Sequence, residues 1–199
     1  MIRPIILASA SKSRASLMRA AGITFEVVPS HADEDSIKDA LKAEGATAAQ
    51  CAETLAELKA VQISQRHHEA LVIGADQMLD CDGLWFDKPK DMDGARNHML
   101  LLRGKTHVLP TAVCVVVNGS RIWHHVASPR LTVRDFSDAF IESHLEAAGT
   151  AVLSSVGAYQ LEGPGAQLFS RIDGDFFTIL GLPLLELLGF LREHGAVPR

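Results

Sequence analysis

The feature that most constrains the fold is an uninterrupted apolar run, Ala70-Leu-Val-Ile-Gly-Ala, that ends on an acid, Asp76. Such a run predicts a strand buried on both faces, as in the sheets of α/β proteins. In open α/β sheets, ligands collect at the carboxyl ends of the strands. A carboxylate buried there is costly unless a metal or a cation meets it. Asp76 is therefore a candidate functional residue, and the alternative is that it begins a turn or caps another element.

The rest of the chain interleaves helical and strand patterns, with a strong hairpin signal at Asn118-Gly119. Helices are predicted from Ser11, as the N-cap, to Gly22, and over 47–66, 91–103, 137–148 and part of 179–191. Further strands are predicted at 4–8, 23–28, 106–117, 121–133, 168–172 and 176–180. This mixture predicts an α/β fold in which a mixed, twisted β-sheet is flanked by helices.

Charge and cysteine content exclude several classes of partner. The chain has 19 basic and 24 acidic residues and a net charge of −5, so no global positive field favours nucleic acid or an anionic membrane. Cys51, Cys81 and Cys114 lie far apart without a C-x-x-C, which argues against a disulfide framework and a zinc cluster. No segment reaches the ~20 apolar residues that cross a bilayer. We therefore expect a cytoplasmic protein without nucleic-acid or membrane partners.

The first predicted strand is followed by a cluster of hydroxyls and cations, namely Ser9, Ser11, Lys12, Ser13 and Arg14. Backbone N–H groups at a helix N-terminus favour anions, and a guanidinium can bind two phosphate oxygens at once. The cluster therefore predicts a phosphate-binding element. A serine-rich helix cap without a ligand is the alternative.

Other charged residues stand where they could complete such a site. Lys59 lies on the apolar stripe of its predicted helix, so it either snorkels to solvent or serves a site. Lys88 follows an Asp82-Gly83 turn, and a hairpin there would bring it back toward Asp76, although a solvated lysine is the simpler interpretation. Asp33 and Glu34 could ligate Mg²⁺, which combines a couple of carboxylates with substrate phosphates, although acidic loops are usually only solvated.

Seven stretches, in order along nearly the whole chain, resemble motifs of the Maf family of nucleotide pyrophosphatases. They are Leu7–Arg14 (family L-A-S-x-S-P-R-R), Phe25–Glu34 (F-E-V-x-x-S-x-x-D-E), Val72–Asp76 (V-I-G-A-D), Asp82–Pro89 (D-G-x-x-x-x-K-P), Arg103–His107 (S-G-R-T-H), Gly157–Gly163 (G-A-Y-x-I-Q-G) and Gly181–Pro183. The chain departs from the first motif at Lys12 and Ser13, which replace a proline and an arginine.

The resemblance implies a single Maf-like domain, with two lobes around a central substrate cleft, and a homodimer. The implied reaction is metal-dependent hydrolysis of a nucleoside triphosphate to the monophosphate and pyrophosphate. Asp76 falls at the family's catalytic carboxylate, described as the proton acceptor, and Glu34 at its metal-associated acid. The phosphate-binding cations would be Arg14, Lys59 and Lys88. We expect Mg²⁺ or Mn²⁺ at Asp76 with Glu34 or Asp33.

Three positions are associated with base choice in this family, and they fall at Ser13, Gln77 and Glu162. The last two resemble the branch that favours 7-methylguanosine triphosphate, whose first position is tryptophan. A carboxylate suits a guanine edge because it accepts N–H donors and complements the positive charge that methylation adds. We therefore expect 7-methyl-GTP or another purine-type nucleotide as substrate. The alternative function is a non-catalytic nucleotide-binding regulator linked to division arrest, in which the change at Lys12 and Ser13 reflects lost catalysis.

Overall fold

The computed structural model describes residues 3–198, which form seven α-helices and ten β-strands. The helices are α1 (Lys12–Ala20), α2 (Glu34–Ala43), α3 (Ala48–Ser64), α4 (Met92–Leu102), α5 (Asp138–Ala148), α6 (Phe176–Ile179) and α7 (Leu184–Glu193). The strands are β1 (Ile5–Leu7), β2 (Glu26–Val27), β3 (Leu71–Gln77), β4 (Leu79–Cys81), β5 (Leu84–Phe86), β6 (Thr106–Val108), β7 (Thr111–Val117), β8 (Ser120–Ala127), β9 (Arg130–Val133) and β10 (Phe169–Asp173). None of these helices has the length and apolar content of a membrane span.

The chain divides into two compact units. Unit 1 comprises Met1–Gln77, Thr111–Ala127 and Asp175–Arg199, and unit 2 comprises Met78–Pro110 and Ser128–Gly174. Each unit is built on one five-stranded sheet. The predicted α/β class, a mixed sheet flanked by helices, is confirmed, with two sheets in place of one. The predicted cleft stays a prediction.

The sheet of unit 1 has the order β2-β1-β3-β7-β8, and β3 is its central strand. Strand β1 runs parallel to β2 and β3, whereas β7 is antiparallel to both β3 and β8. The predicted Asn118-Gly119 hairpin joins β7 to β8. Side chains of Leu7, Ile73, Val113 and Leu187 are fully buried in the core of this unit. Strands β1 and β7 pair with its two edges, and α3 and the core of the unit cover its two faces, which explains the continuous apolar sequence of β3.

Helix α3 packs closely on β3 because small residues line the contact. A Cβ atom added to Gly74 would lie 2.0 Å from the carbonyl oxygen of Ala56 and 2.8 Å from Cβ of Ala60. The helix begins with a capping box, in which Thr47 and Gln50 satisfy each other's backbone N–H groups. The capping box therefore fixes where α3 begins, and the close contact at Gly74 fixes its position against β3.

The sheet of unit 2 is entirely antiparallel, with the order β10-β9-β6-β4-β5. The hairpin that the Asp82-Gly83 turn predicts is present as β4 and β5. Helices α4 and α5 and the segment 149–168, which consists largely of short 3-10 turns, belong to the same unit. His107 on β6 and Tyr159 in this segment lie in the interior of the unit.

Three sequence predictions differ from the structure. Residues 106–117 and 121–133 are each broken into two strands, at Leu109-Pro110 and at Ser128-Pro129, where the chain passes from one unit to the other. Residues 176–180 form the short helix α6, because Asp175 caps the backbone N–H of Thr178 and fixes a helical turn. Helix α2 was not predicted, because its residues are mostly exposed and carry no buried apolar stripe.

Candidate active site

Asp76 lies at the carboxyl end of β3, where its side chain is only 8% exposed. Its backbone pairs with Ala112 of β7. Side chains alternate along a strand, so Asp76 projects from the same face of the sheet as Gly74, the face against which α3 packs. Lys59 follows Ala56 by one turn of α3. The close packing at Gly74 therefore brings the lysine within reach of the carboxylate.

Lys59 contacts two carboxylates at once. Its Nζ lies 2.5 Å from Oδ1 of Asp76 and 2.9 Å from Oε1 of Glu34, at the start of α2. The lysine side chain is 7% exposed, whereas that of Glu34 is 41% exposed. Lys59 therefore serves a charged cluster and does not snorkel to solvent.

The neighbouring acid, Asp33, does not join this cluster. Its carboxylate caps α2 by accepting hydrogen bonds from the backbone N–H of Ser36 at 3.2 Å and from its hydroxyl at 2.7 Å. These bonds lower the pKa of Asp33. Of the two acids that the sequence left open as metal ligands, Glu34 is the one that shares a cation with Asp76.

Arg14 is a second buried cation in unit 1. Its Nε donates to the carbonyl oxygen of Gly181 at 2.8 Å, and its Nη1 donates to Oγ of Ser9 at 3.0 Å. Burial lowers the pKa of the guanidinium, and the negative charges of Asp76 and Glu34 offset only part of this effect. Arg14 is thus fixed in place and electrostatically coupled to the carboxylates that Lys59 contacts.

The other residues of the opening cluster divide between structural and exposed positions. Ser11 is the N-cap of α1, with its hydroxyl accepting from the backbone N–H of Arg14 at 3.3 Å. The hydroxyl of Ser13 donates to the carbonyl oxygen of Leu180 at 2.8 Å, and Lys12 is exposed. Ser11 is therefore a helix cap and Ser9 is buried against Arg14, and the phosphate-binding role of the cluster stays a prediction.

Gln77, the residue after Asp76, is held by its amide group. Its Nε2 donates to Oγ1 of Thr111 at 2.8 Å and lies within hydrogen-bond distance of the carbonyl oxygens of Thr178 and Ile179, at 3.1 and 3.2 Å. These contacts fix the orientation of the side chain.

Lys88 and Glu162 belong to unit 2, and both are exposed. Glu162 follows a strained stretch, in which Gly157 has φ +77° and Ala158, unusually for a residue with a side chain, has φ 60°. Non-glycine residues in this conformation often occur at functional sites. That these two residues act with Asp76 stays a prediction.

Sequence reasoning missed a buried hydrogen-bonded pair in unit 2. Nε2 of His107 lies 2.7 Å from the hydroxyl of Tyr159, and both rings contact Phe169. Burial lowers the pKa of His107 to about 4 and raises that of the Tyr159 hydroxyl. Both residues fall within motifs of the resemblance, and that is the only sequence signal that could have indicated them.

The described residues offer a small set of protein ligands for a metal ion. Residues 3–198 contain no group of three or more His, Cys, Asp or Glu side chains placed to hold one. Glu34 and Asp76 nevertheless converge on the ammonium of Lys59, so their oxygens can meet a common cation. A pair of carboxylates fits Mg²⁺, which usually binds through one or two carboxylates and completes its coordination with water and substrate phosphates.

Asp76, which contacts Lys59 and is electrostatically coupled to Arg14, lies at the carboxyl end of a central strand, the place where open α/β sheets bind their ligands. The sequence model of Maf-like proteins matches residues 4–194. The chain therefore belongs to the Maf-like protein family.

Named relatives agree with this assignment. A nucleoside triphosphate pyrophosphatase of Paramagnetospirillum magneticum is 57% identical over 190 residues, which cover 96% of this chain and 98% of the relative. One of the same name from Granulibacter bethesdensis is 53% identical, covering 97% and 98%. A 7-methyl-GTP pyrophosphatase of Rhizobium meliloti is 47% identical, covering 97% of each. The predicted family and the predicted hydrolase class are confirmed by these comparisons.

Proposed function

We propose that this protein hydrolyses a nucleoside triphosphate between the α- and β-phosphorus atoms, yielding the monophosphate and pyrophosphate, with a divalent cation as cofactor. The observation that carries the proposal is the buried cluster in which Asp76 and Glu34 share Lys59, with Arg14 coupled to both carboxylates. The family membership and the names of the relatives support the same reaction.

Each side chain of the cluster has a role in that reaction. The oxygen of a water molecule bonds to the α-phosphorus, the anhydride bond breaks, and pyrophosphate leaves with the electron pair. Arg14 and Lys59 offset the negative charge that builds up on the phosphate oxygens, which is the main electrostatic task in phosphoryl transfer. Two roles are open to Asp76: accepting the proton of the attacking water, or acting with Glu34 as a metal ligand. A divalent cation bound by these carboxylates would polarise the phosphate and lower the pKa of a bound water.

The remaining predicted residues concern phosphate binding and base choice. Ser9, Ser11, Lys12 and Ser13 would contribute to the phosphate-binding element, and Lys88 would add a cation. Gln77 and Glu162 would read the base, and we propose 7-methyl-GTP or another purine-type nucleotide as substrate. Some relatives are named nucleoside triphosphate pyrophosphatase and others 7-methyl-GTP pyrophosphatase. These names support the proposed reaction more strongly than they support the proposed nucleobase.

The reaction is tested by measuring pyrophosphate release from 7-methyl-GTP, GTP, TTP and UTP, with Mg²⁺ or Mn²⁺ and then with excess chelator. We expect metal-dependent release that is fastest with 7-methyl-GTP. Nucleotide binding without release from any substrate would contradict the proposal and favour the regulator, in which Lys12 and Ser13 mark lost catalysis.

The assignment of Asp76 is tested by Asp76→Asn, with Asp39→Asn on the exposed face of α2 as the matched control. We expect the first variant to lose turnover by at least about 10³-fold, because the amide can neither take a proton nor neutralise a cation. The control should keep wild-type activity. Near-normal turnover by a folded Asp76→Asn protein would remove Asp76 from the mechanism.

The homodimer that the family resemblance implies and the cytoplasmic location that the sequence predicted remain part of this proposal. Light scattering on the purified protein distinguishes a dimer from a monomer.

A further inference from the structure

We propose that the ammonium group of Lys59 stands in for the divalent cation in the metal-free protein, and that it moves to the substrate phosphates when the metal binds. This inference rests on the proposed function, because it concerns the metal and the nucleotide of that reaction. It assigns Lys59 a role beyond phosphate binding, in which it couples the affinity for one ligand to the affinity for the other.

The contacts of Lys59 are the starting point. Its Nζ lies 2.9 Å from Glu34 and 2.5 Å from Asp76, so it occupies the place where the two candidate metal ligands converge. Lys59 and Asp76 are both buried, with side-chain exposures of 7% and 8%. An ion that binds Oε1 of Glu34 and Oδ1 of Asp76 would therefore compete with the ammonium for these oxygens.

The balance of charge explains why the ammonium group of Lys59 and a divalent metal ion would not occupy this place together. Within unit 1, the carboxylates of Glu34 and Asp76 are matched by the charges of Lys59 and Arg14. A divalent cation added beside a stationary Lys59 would leave an excess of positive charge in a buried place, where like charges repel strongly. Arg14 cannot make room, because Gly181 and Ser9 hold its guanidinium. The lysine, with its long flexible side chain, is the group that can move.

A triphosphate supplies the anion that a displaced Lys59 needs. With the metal alone, Lys59 would lose its ion pairs and gain no new partner, so binding of the metal alone should be weak. With nucleotide present, the ammonium moves from carboxylate to phosphate, and the cost of displacement largely disappears. Metal and nucleotide should therefore each strengthen the binding of the other by the same factor.

The test is the affinity for Mn²⁺ alone, measured by electron paramagnetic resonance on wild type, Lys59→Met and the matched control Lys42→Met on α2. Coupling of this kind usually amounts to about 5–150-fold. We expect Lys59→Met to bind Mn²⁺ at least about fivefold more tightly than wild type, and Lys42→Met to match wild type. A Lys59→Met protein that binds Mn²⁺ no more tightly than wild type, or not at all, overturns the proposal.

The coupling itself gives a second measurement. The same titrations are repeated with a non-hydrolysable α,β-methylene triphosphate present. We expect the analogue to tighten Mn²⁺ binding to wild type by a clearly larger factor than to Lys59→Met. Equal factors for the two proteins would contradict the proposal even if the first test succeeded.

A measurement on wild type keeps the inference testable if Lys59→Met does not fold. The ¹⁵N resonance of the Lys59 ammonium group is followed while Mg²⁺ is added in the presence of the analogue. We expect it to shift as the group exchanges carboxylates for phosphates, and an unchanged resonance at saturating Mg²⁺ refutes the exchange. None of these readouts requires turnover. A failure of the proposed reaction would appear instead as absent pyrophosphate release by wild type.

Discussion

The buried His107 predicts a specific loss of stability in mild acid. The imidazole is fully buried, and Nε2 lies 2.7 Å from the hydroxyl of Tyr159. Within the described residues, its Nδ1 has no hydrogen-bond partner. Burial lowers its pKa from 6.5 to about 4, because the charged ring would lose its hydration without gaining a counter-charge. The substitution His107→Gln isolates this effect, because it replaces the titratable imidazole with an amide that does not titrate.

The sign and size of the effect follow from the pKa in the two states. The unfolded chain takes up a proton near pH 6.5, whereas the folded chain does so only near pH 4. His107 therefore contributes no penalty above pH 6.5, and stability is lost progressively as the pH falls from 6.5 toward 4. Each pKa unit corresponds to about 1.4 kcal/mol, so the full loss is about 3 kcal/mol, most of it complete by pH 4.5.

The assay is urea denaturation at several pH values between 7.5 and 4.5, followed by the fluorescence of Trp85 in a Trp123→Phe background. Carboxylates also titrate in this range, so the informative quantity is the difference in unfolding free energy between wild type and His107→Gln. We expect that difference to shift by about 2–3 kcal/mol in favour of the variant as the pH falls. A difference that stays constant within about 1 kcal/mol would refute the reasoning.

Three further predictions concern packing, charge geometry and thiol reactivity. Gly74→Ala should lower the unfolding free energy by about 3 kcal/mol or more in the same urea assay, because the added Cβ would lie 2.0 Å from the carbonyl oxygen of Ala56. The control is Gly189→Ala on α7, which should be neutral or stabilising because no atom lies within 4 Å of the added Cβ. Arg14→Lys keeps the charge but not both hydrogen bonds of the guanidinium. We therefore expect kcat/KM for pyrophosphate release to fall by about 100-fold, through a higher KM and a lower kcat. Burial raises the pKa of the Cys114 thiol to about 12, so it should resist a thiol reagent at pH 8 until the protein is unfolded in urea.

The sequence predicted the residues of unit 1 that the structure brings together. The run that ends at Asp76 indicated the buried strand because a continuous, β-branched apolar segment of this length is typical of a strand covered on both faces. Lys59 was a candidate because a lysine on an apolar stripe either snorkels to solvent or serves a site, and the sequence did not decide between the two. Arg14 followed from the serine-rich start of α1. In each case the signal was local, because it lay within a few residues of the side chain concerned.

Features that depend on distant parts of the chain could not be predicted in this way. Gln77 and Ser13 both contact carbonyl oxygens of residues 178–180, more than 100 residues later. That Lys59 contacts both Glu34 and Asp76 depends on how α2 and β3 flank α3. The predicted strand 106–117 is interrupted at Leu109-Pro110 because the chain passes there from one sheet to the other. The β-branched residues on both sides of this point do not reveal the change of sheet. Long-range contacts, not local preferences, decided these features.

The order in which the segments of unit 1 occur has a consequence for biosynthesis. Unit 1 needs Asp175–Arg199, and on the ribosome this segment emerges only after all of unit 2 has been made. It supplies the carbonyl oxygens that hold Arg14 and Gln77. A nascent chain that stops before residue 175 therefore carries Arg14 without the carbonyl oxygen of Gly181, and Gln77 without two of its partners. Arg14 reaches its full set of contacts only at the end of synthesis, so incomplete chains should release no pyrophosphate.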